Sequence, residues 1–214
     1  DYFIIVESTH TFVGKEKTLY YQENKELFNE FQDKIIYVIV DDLPYKYPNI
    51  DISKKQQWLN EKFQRNAISR GLKKLNLHDD DIIIISDLDE IVDPNTLESI
   101  KKKDIHIPNN IASLFMDMYY YNLNTKLQFI WEYPKILLYK MFISSNKTCS
   151  EIREESYISI NNGGWHLSYF GDAMFIKNKL ENFSHQEFNK EEYTNLENID
   201  KRVKNNLDLF ERNI

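Results

Sequence analysis

Hydrophobic positions along the chain come in two patterns. Short unbroken runs occupy Tyr2 to Val6, Lys34 to Val40 and Ile82 to Ile85, and each is followed by acids: Glu7, then Asp41 and Asp42, then Asp87. An unbroken β-branched run predicts a strand covered on both faces, as in a parallel sheet flanked by helices. Helix-spaced stripes separate the runs. Leu27, Phe28 and Phe31 predict a helix over 23–32, and Leu59, Phe63, Ala67, Ile68, Leu72 and Leu75 predict a longer one over 54–75, on which Glu61 and Arg65 can pair. Pro44 to Ile52 reads as a loop, and Asp93-Pro94 opens a helix to about Lys103. Further on, 111–121 predicts a strand and 127–143 a hairpin or pair of strands. The chain is then polar from Cys149 to Asn162. An unusual stretch follows, Gly163-Gly164-Trp165-His166-Leu167-Ser168-Tyr169-Phe170-Gly171-Asp172. Helices are predicted over 173–183 and 196–210, the last with Ile199, Val203, Leu207 and Phe210 on one stripe. Strands alternating with helices in the first half imply an α/β fold with a mostly parallel, doubly wound sheet, and the second half is more mixed.

The third run carries the chemistry. Asp81-Ile-Ile-Ile-Ile-Ser-Asp87-Leu-Asp89-Glu90 places three carboxylates at the C-terminal end of a buried strand, where α/β sheets bind ligands. Like charges this close favour protonation unless a cation sits among them. A hard divalent ion with oxygen ligands removes the conflict and commonly carries phosphates. Asp-x-Asp here is therefore a candidate site for a metal and a diphosphate. The competing reading is an acidic turn that ends a strand.

Composition narrows the class. The chain has 214 residues, 42% hydrophobic and 14% aromatic, enough for a packed domain rather than disorder. The 14 tyrosines suit sugar pockets, since a ring offers an apolar face and a hydroxyl together, although most of these rings are expected in the core. A net charge of −7 argues against nucleic acid as the main partner. One cysteine, Cys149, excludes an intrachain disulfide. No stretch approaches the ~20 apolar residues of a membrane span, so no membrane contact is expected from these residues, and no signal peptide is visible. The chain opens on Asp1 and runs straight into a strand, which reads as a fragment whose N-terminal part is missing. The sequons at Asn146 and Asn182 are explained by chance.

Taken together, Tyr2-Phe-Ile-Ile-Val-Glu-Ser-Thr-His-Thr-Phe-Val-Gly14, Trp58 with Glu61 and Gln64-Arg65-Asn66, Ser86-Asp-Leu-Asp-Glu-Ile91, Gly164-Trp165-His166 and Phe183-Ser184-His185 resemble glycosyltransferase family 17. This is the family of β-1,4-mannosyl-glycoprotein 4-β-N-acetylglucosaminyltransferases. The resemblance implies a GT-A-like fold, UDP-GlcNAc as donor, Mn²⁺ (or Mg²⁺), inversion at the anomeric carbon, and a glycan or glycoprotein acceptor. It makes 1–214 a single glycosyltransferase domain, with a nucleotide-sugar-binding half over about 1–105 and an acceptor-binding half over about 106–214. Family analogy points to the Golgi or secretory lumen. The absence of an anchor, signal or disulfide leaves a cytoplasmic location open.

The resemblance also distributes roles. Asp89 would ligate the metal and Asp87 would lie near the ribose or the metal's waters, with His166 completing the set; the plain alternative for His166 is a hydrogen-bonded, half-buried histidine. Glu7, at a strand end, would contact uracil or ribose with Ser8 and Thr9. Arg65 would reach the diphosphate bidentately, or simply pair with Glu61. Trp165 would stack on a sugar or belong to the core, and His185 would cap a turn or touch ligand. An inverting transfer needs a general base. Asp172, Asp117 and Glu132 are the carboxylates available outside the acid cluster, and Asp172, just after the Gly-Trp-His stretch, is the first choice. Two rival readings stand beside this one. The first is a catalytically inactive UDP-sugar- or glycan-binding domain. The second is a haloacid-dehalogenase-like phosphatase, which normally carries Thr or Val where Ile91 stands and has its Asp-x-Asp near the domain start.

Overall fold

The structure is a computed structural model and describes residues 1–107, 111–155 and 157–212. The chain divides into two compact units, 1–77 with 181–187, and 78–180 with 188–214.

In the first unit, strands β1 (Phe3–Ser8) and β2 (Ile35–Val40) pair in parallel, from Phe3 opposite Ile35 to Ser8 opposite Val40. They are joined through helix α1 (Tyr20–Asn24) and a 3₁₀ stretch, Lys25–Lys34, kinked at Phe28. The helix predicted over 23–32 is thus mostly 3₁₀. Leu27, Phe28 and Phe31 are all exposed, so no packed face holds an α-helical register there. The predicted 54–75 helix is two helices, α2 (Gln56–Asn66) and α3 (Ile68–Leu72), that meet at Ala67. Val38, Val40, Leu43 and Ala67 form the core with Ile4, Val6, Ile36 and Phe63. Leu59, expected on the buried stripe, is exposed, and the buried residues of α2 are Gln57 and Asn60. Asn60 explains why a polar side chain wins that position. Its amide donates to the Phe12 and Tyr45 carbonyls at 2.9 and 2.7 Å and accepts from the Tyr45 N–H at 3.1 Å, so it ties two loops to the helix.

The second unit holds strands β3 (Ile82–Ile85), β4 (Glu90–Val92), β5 (Ala112–Tyr120), β6 (Lys126–Trp131), β7 (Lys135–Leu138) and β8 (Ile158–Ser168). They form one sheet in the order β3-β7-β5-β8-β4, with β6 also on β5. Its helices are α4 (Pro94–Lys101), α5 (Tyr139–Ser145), α6 (Cys149–Glu154), α7 (Ala173–Asn182), α8 (Glu191–Thr194) and α9 (Leu196–Lys204).

The chain is α/β as expected, but the mostly parallel sheet is not what forms. Only β1–β2 and β5–β8 run in parallel among the described pairings; β3–β7, β5–β7, β5–β6 and β4–β8 are antiparallel. The isoleucine run β3 packs beside β7, which continues in the direction of β6 along β5 and runs antiparallel to both β5 and β3. Nor is the run covered on both faces as expected: Ile83 and Ile85 are buried, whereas Ile82 is exposed and Ile84 half-buried, and a continuous apolar run carries no information on strand direction. The alternation in β5 is regular: Leu114, Met116, Met118 and Tyr120 are buried, while Phe115, Asp117 and Tyr119 are only partly so. Ile100, Ile107, Ala112, Leu114, Met116, Ile136 and Ile160 make this unit's core.

Other expectations shift locally. The predicted second strand after residue 127 stops at Leu138, and Tyr139 begins α5. The polar stretch after Cys149 contains α6 and the start of β8. The Gly-Trp-His segment lies within β8. Helix α9 ends at Lys204, short of residue 210, and Phe210 is buried by stacking on Phe188 at 4.1 Å. Pairing between β5 and β8 slips from Leu114 opposite Ile160 to Met116 opposite Gly164. No helix among the described residues is long and apolar enough to cross a membrane.

Gly163 and Gly164 sit at this slip. A Cβ on Gly163 would come within 2.8 Å of the Leu114 backbone. Gly164, at φ +138°, would drive one into the Ile91 carbonyl oxygen on β4. Both strain and clash are backbone-borne, so Gly164→Ala should cost roughly 3 kcal/mol or more, read as a lowered denaturant midpoint by circular dichroism.

Candidate functional site

The predicted acid motif lies between β3 and β4, and a compact turn builds it. The Glu90 N–H donates to the Asp87 carbonyl at 3.1 Å, and the Asp87 N–H returns to Glu90 Oε2 at 2.6 Å. Glu90, whose side chain is fully buried, is the hub. Its carboxylate also accepts from Trp131 Nε1 at 2.6 Å and from both terminal nitrogens of Arg153, the Nη1 contact being 2.9 Å. Arg153 Nη2 then reaches Asp87 Oδ2 at 2.7 Å. The guanidinium is itself buried and lies 5.7 Å from the Tyr133 ring centre.

Asp89 belongs to a second arm of the turn. Its carbonyl accepts the Leu167 N–H at 2.8 Å, fixing it beside β8. Its carboxylate faces Lys179 Nζ at 2.9 Å and His166 Nε2 at 3.6 Å. Burial by itself would raise its pKa, but the neighbouring His166 imidazole and the charge of Lys179 outweigh burial and hold it well below the usual carboxylate range. Register explains how His166 arrives: on β8 it lies opposite Glu90 of β4 and Met118 of β5. Its ring packs 4.2 Å from that of Trp131, and its Nδ1 is buried without a hydrogen-bond partner among the described residues. Lys179 comes from α7 and also sits 4.9 Å over the Tyr169 ring, whose hydroxyl pKa is raised chiefly by burial.

Lys135 completes the charge set. It is 1% exposed on β7, donates to the Glu132 carbonyl at 2.6 Å and lies 5.9 Å from the Tyr133 and Tyr157 rings. Burial first, then the neighbouring Arg153 charge, pull its pKa down to about 8.

The structure therefore brings Asp87, Asp89 and His166 together as predicted, but with partners that the metal reading did not include. Asp87 is bonded to Arg153 and Asp89 to Lys179, and among the described residues no group of three or more His, Cys, Asp or Glu side chains is placed to hold a metal ion. As arranged, these donors do not fit a Mn²⁺ or Mg²⁺ site, because protein cations take up the carboxylates a divalent ion would need.

The other predicted residues are dispersed. Trp165, next to His166 on β8, points to the other face of the sheet. There it lines a groove of about 330 Å³ with Ile91, Tyr119, Leu123 and Leu167. Asp117 is opposite Trp165 across β5–β8 and pairs with Lys126 at 2.7 Å. Glu132 is exposed in the short link between β6 and β7. Asp172 is exposed at the start of α7 and accepts the Phe175 N–H at 2.8 Å, a helix cap.

In the first unit, the Glu7 carboxylate is engaged by the Tyr20 and Tyr21 N–H groups at 2.6 and 3.1 Å, Lys17 at 3.2 Å and the Tyr37 hydroxyl at 2.8 Å. Ser8 is buried and donates to the His10 carbonyl, while Thr9 Oγ1 meets His10 Nδ1 at 2.8 Å. Burial and the Lys46 charge lower the pKa of His10, which with Gly14, Lys15, Glu16, Lys46 and Tyr47 lines a pocket of about 630 Å³. Arg65 pairs with Glu61 at 2.7 Å. His185 contacts Glu187 at 2.6 Å and the Trp58 ring edge-on at 4.5 Å.

Arg153, Lys135, Lys179 and Trp131 were missed in the sequence. For Arg153 a signal existed: Thr148-x-x-Glu151 is a capping box, and the structure realises both of its hydrogen bonds, announcing α6 inside a stretch read only as polar. A lysine at the head of the apolar run Lys135-Ile-Leu-Leu was the signal for the second.

Compared with known proteins, residues 1–212 match the model of glycosyltransferase family 17, essentially the whole chain. The fold and the acid turn thus sit in a glycosyltransferase. The chain belongs to glycosyltransferase family 17. No curated protein and no solved structure matches it significantly.

Lys135 gives a prediction with a defined sign. Its folded pKa of about 8 lies below the ordinary lysine value of 10.5, so the buried charge destabilises the folded state at low pH. The penalty is complete below about pH 8 and is relieved as pH rises towards 10.5. Relative to wild type, Lys135→Met should therefore be favoured most at pH 7 and lose up to about 3 kcal/mol of that advantage by pH 10.5, measured by urea unfolding at both pH values.

Proposed function

We propose that this chain transfers a sugar, GlcNAc, from UDP-GlcNAc to a hydroxyl of a glycan or glycoprotein acceptor, with inversion, on a GT-A-like framework. One observation carries the reading: in a member of a glycosyltransferase family, the Asp87–Asp89 turn is fixed at a strand end by buried hydrogen bonds while both aspartates keep part of their side chains exposed, 44% and 30%. Such a turn meets the hydroxyls of an incoming nucleotide with carboxylate oxygens already fixed as hydrogen-bond acceptors. Lys179, partly exposed and bonded to Asp89, supplies a cation within reach of a diphosphate bound there. Asp172 is our choice of general base, with Asp117 and Glu132 as the other carboxylates available to take the acceptor's proton. Trp165 offers a ring face for a sugar. Glu7, Ser8, Thr9, Arg65 and His185 are proposed as ligand contacts of the first unit taken by itself.

A second reading is nucleotide-sugar binding without transfer, favoured by the internal cation partners of both aspartates.

The test is UDP release from a panel of UDP-sugars, run with Mn²⁺ and with EDTA. Wild type should release UDP, with UDP-GlcNAc preferred, and Asp89→Asn should lose roughly a hundredfold or more of that rate. UDP-sugar binding with no release in any condition supports the second reading. Neither binding nor release rejects both. Asp172→Asn should lose roughly a hundredfold in transfer while still binding donor, and normal turnover would remove Asp172 from the base's role.

A further inference from the structure

We infer that Arg153 is the positioning residue of the acid turn, aiming Asp87 at the nucleotide through a buried clamp on Glu90. The inference rests on the nucleotide-sugar reading above. Exposure along the network carries the argument. Glu90 and Arg153 have side chains 0% and 4% exposed, whereas Asp87, bonded to the same Arg153 Nη2 that holds Glu90, is 44% exposed. The network thus runs from a closed interior to one open carboxylate. A guanidinium is planar and rigid, so fixing two of its nitrogens on Glu90 also fixes the direction in which Nη2 presents its remaining hydrogen to Asp87. Trp131 Nε1 and the Asp87 N–H hold the Glu90 carboxylate against rotation. Asp87 is therefore held twice, by its own backbone on Glu90 and by its side chain on Arg153. A pair serving stability alone would be complete with Glu90 and Arg153; the bond to an exposed acid adds orientation. Arg153 itself is too deeply buried to meet substrate.

The test is UDP affinity, measured by calorimetry, for wild type, Arg153→Lys, Asp87→Asn and the double variant, with folding checked by circular dichroism at the same temperature. Lysine keeps the charge and loses the fork, so Arg153→Lys should weaken UDP binding roughly tenfold, the size seen when a group orienting a ligand-contacting side chain is lost. Because Arg153 acts through Asp87, adding Arg153→Lys to Asp87→Asn should cost less than about twofold more. Unchanged affinity in Arg153→Lys, or losses that multiply in the double variant, would overturn the assignment. Should Arg153→Lys fail to fold, Glu90→Gln replaces it, keeping the side chain's shape and weakening the clamp, with the same pattern expected. Wild type that does not bind UDP at all refutes the nucleotide reading and this assignment with it; wild type that binds while the variants do not respond refutes this assignment alone.

Discussion

A charge kept out of water has to be answered, and in this protein one answer organises a whole site. Glu90 is sealed inside the sheet, where an isolated carboxylate would be prohibitive. Arg153 matches it from α6, Trp131 from β6, and the backbone of the turn closes the remaining lone pair. Three separate pieces of chain are therefore committed to one anion. Asp87 and Asp89 inherit their positions from that commitment, one through Arg153 and the other through the β8 backbone and α7. The acid motif is a surface consequence of a buried electrostatic requirement.

The same arrangement resolves the repulsion that three neighbouring carboxylates would otherwise suffer. Asp87, Asp89 and Glu90 are met by Arg153, Lys179 and the charge of nearby Lys135, drawn from different elements. Along the sequence the acids fall in one short stretch and the cations nowhere near, a pattern that by itself points to a divalent ion. In space, protein cations stand where the metal was expected. The low pKa of Asp89 follows from the same fact, since His166 and Lys179 more than cancel the effect of burial.

What could be read in advance divides along the range of the interaction. Strand and helix positions were largely visible because they rest on local patterns: Ile82 to Ile85, the Asp93-Pro94 start of α4 and the alternation in β5 are written in neighbouring residues. Strand direction was not, since the β3 run looks the same beside a parallel or an antiparallel neighbour. Nor was the polar face of α2, where Asn60 is buried because two loops need its amide. In the candidate site, Asp87, Asp89 and His166 were legible as a motif, whereas Arg153 and Lys179 lie 66 and 90 residues from their partners and no spacing announces them. The capping box before Arg153 could have revealed its helix, but not what the arginine would hold.

The slip between β5 and β8 has a further consequence. From the pair Leu114–Ile160 to the pair Met116–Gly164, β8 spends two more residues than its neighbour. Side chains alternate with a period of two, so an even surplus returns every later residue of β8 to the face it would have had. His166 stays on the side of Glu90, and Trp165 stays on the side of Ile91 and Tyr119. An odd surplus would exchange them, presenting the indole to the acid turn and the imidazole to the groove. In length variation among sequences built on this plan, the segment around Asn161 and Asn162 can then change by pairs of residues without disturbing either side of the sheet. A change of one is a change of chemistry.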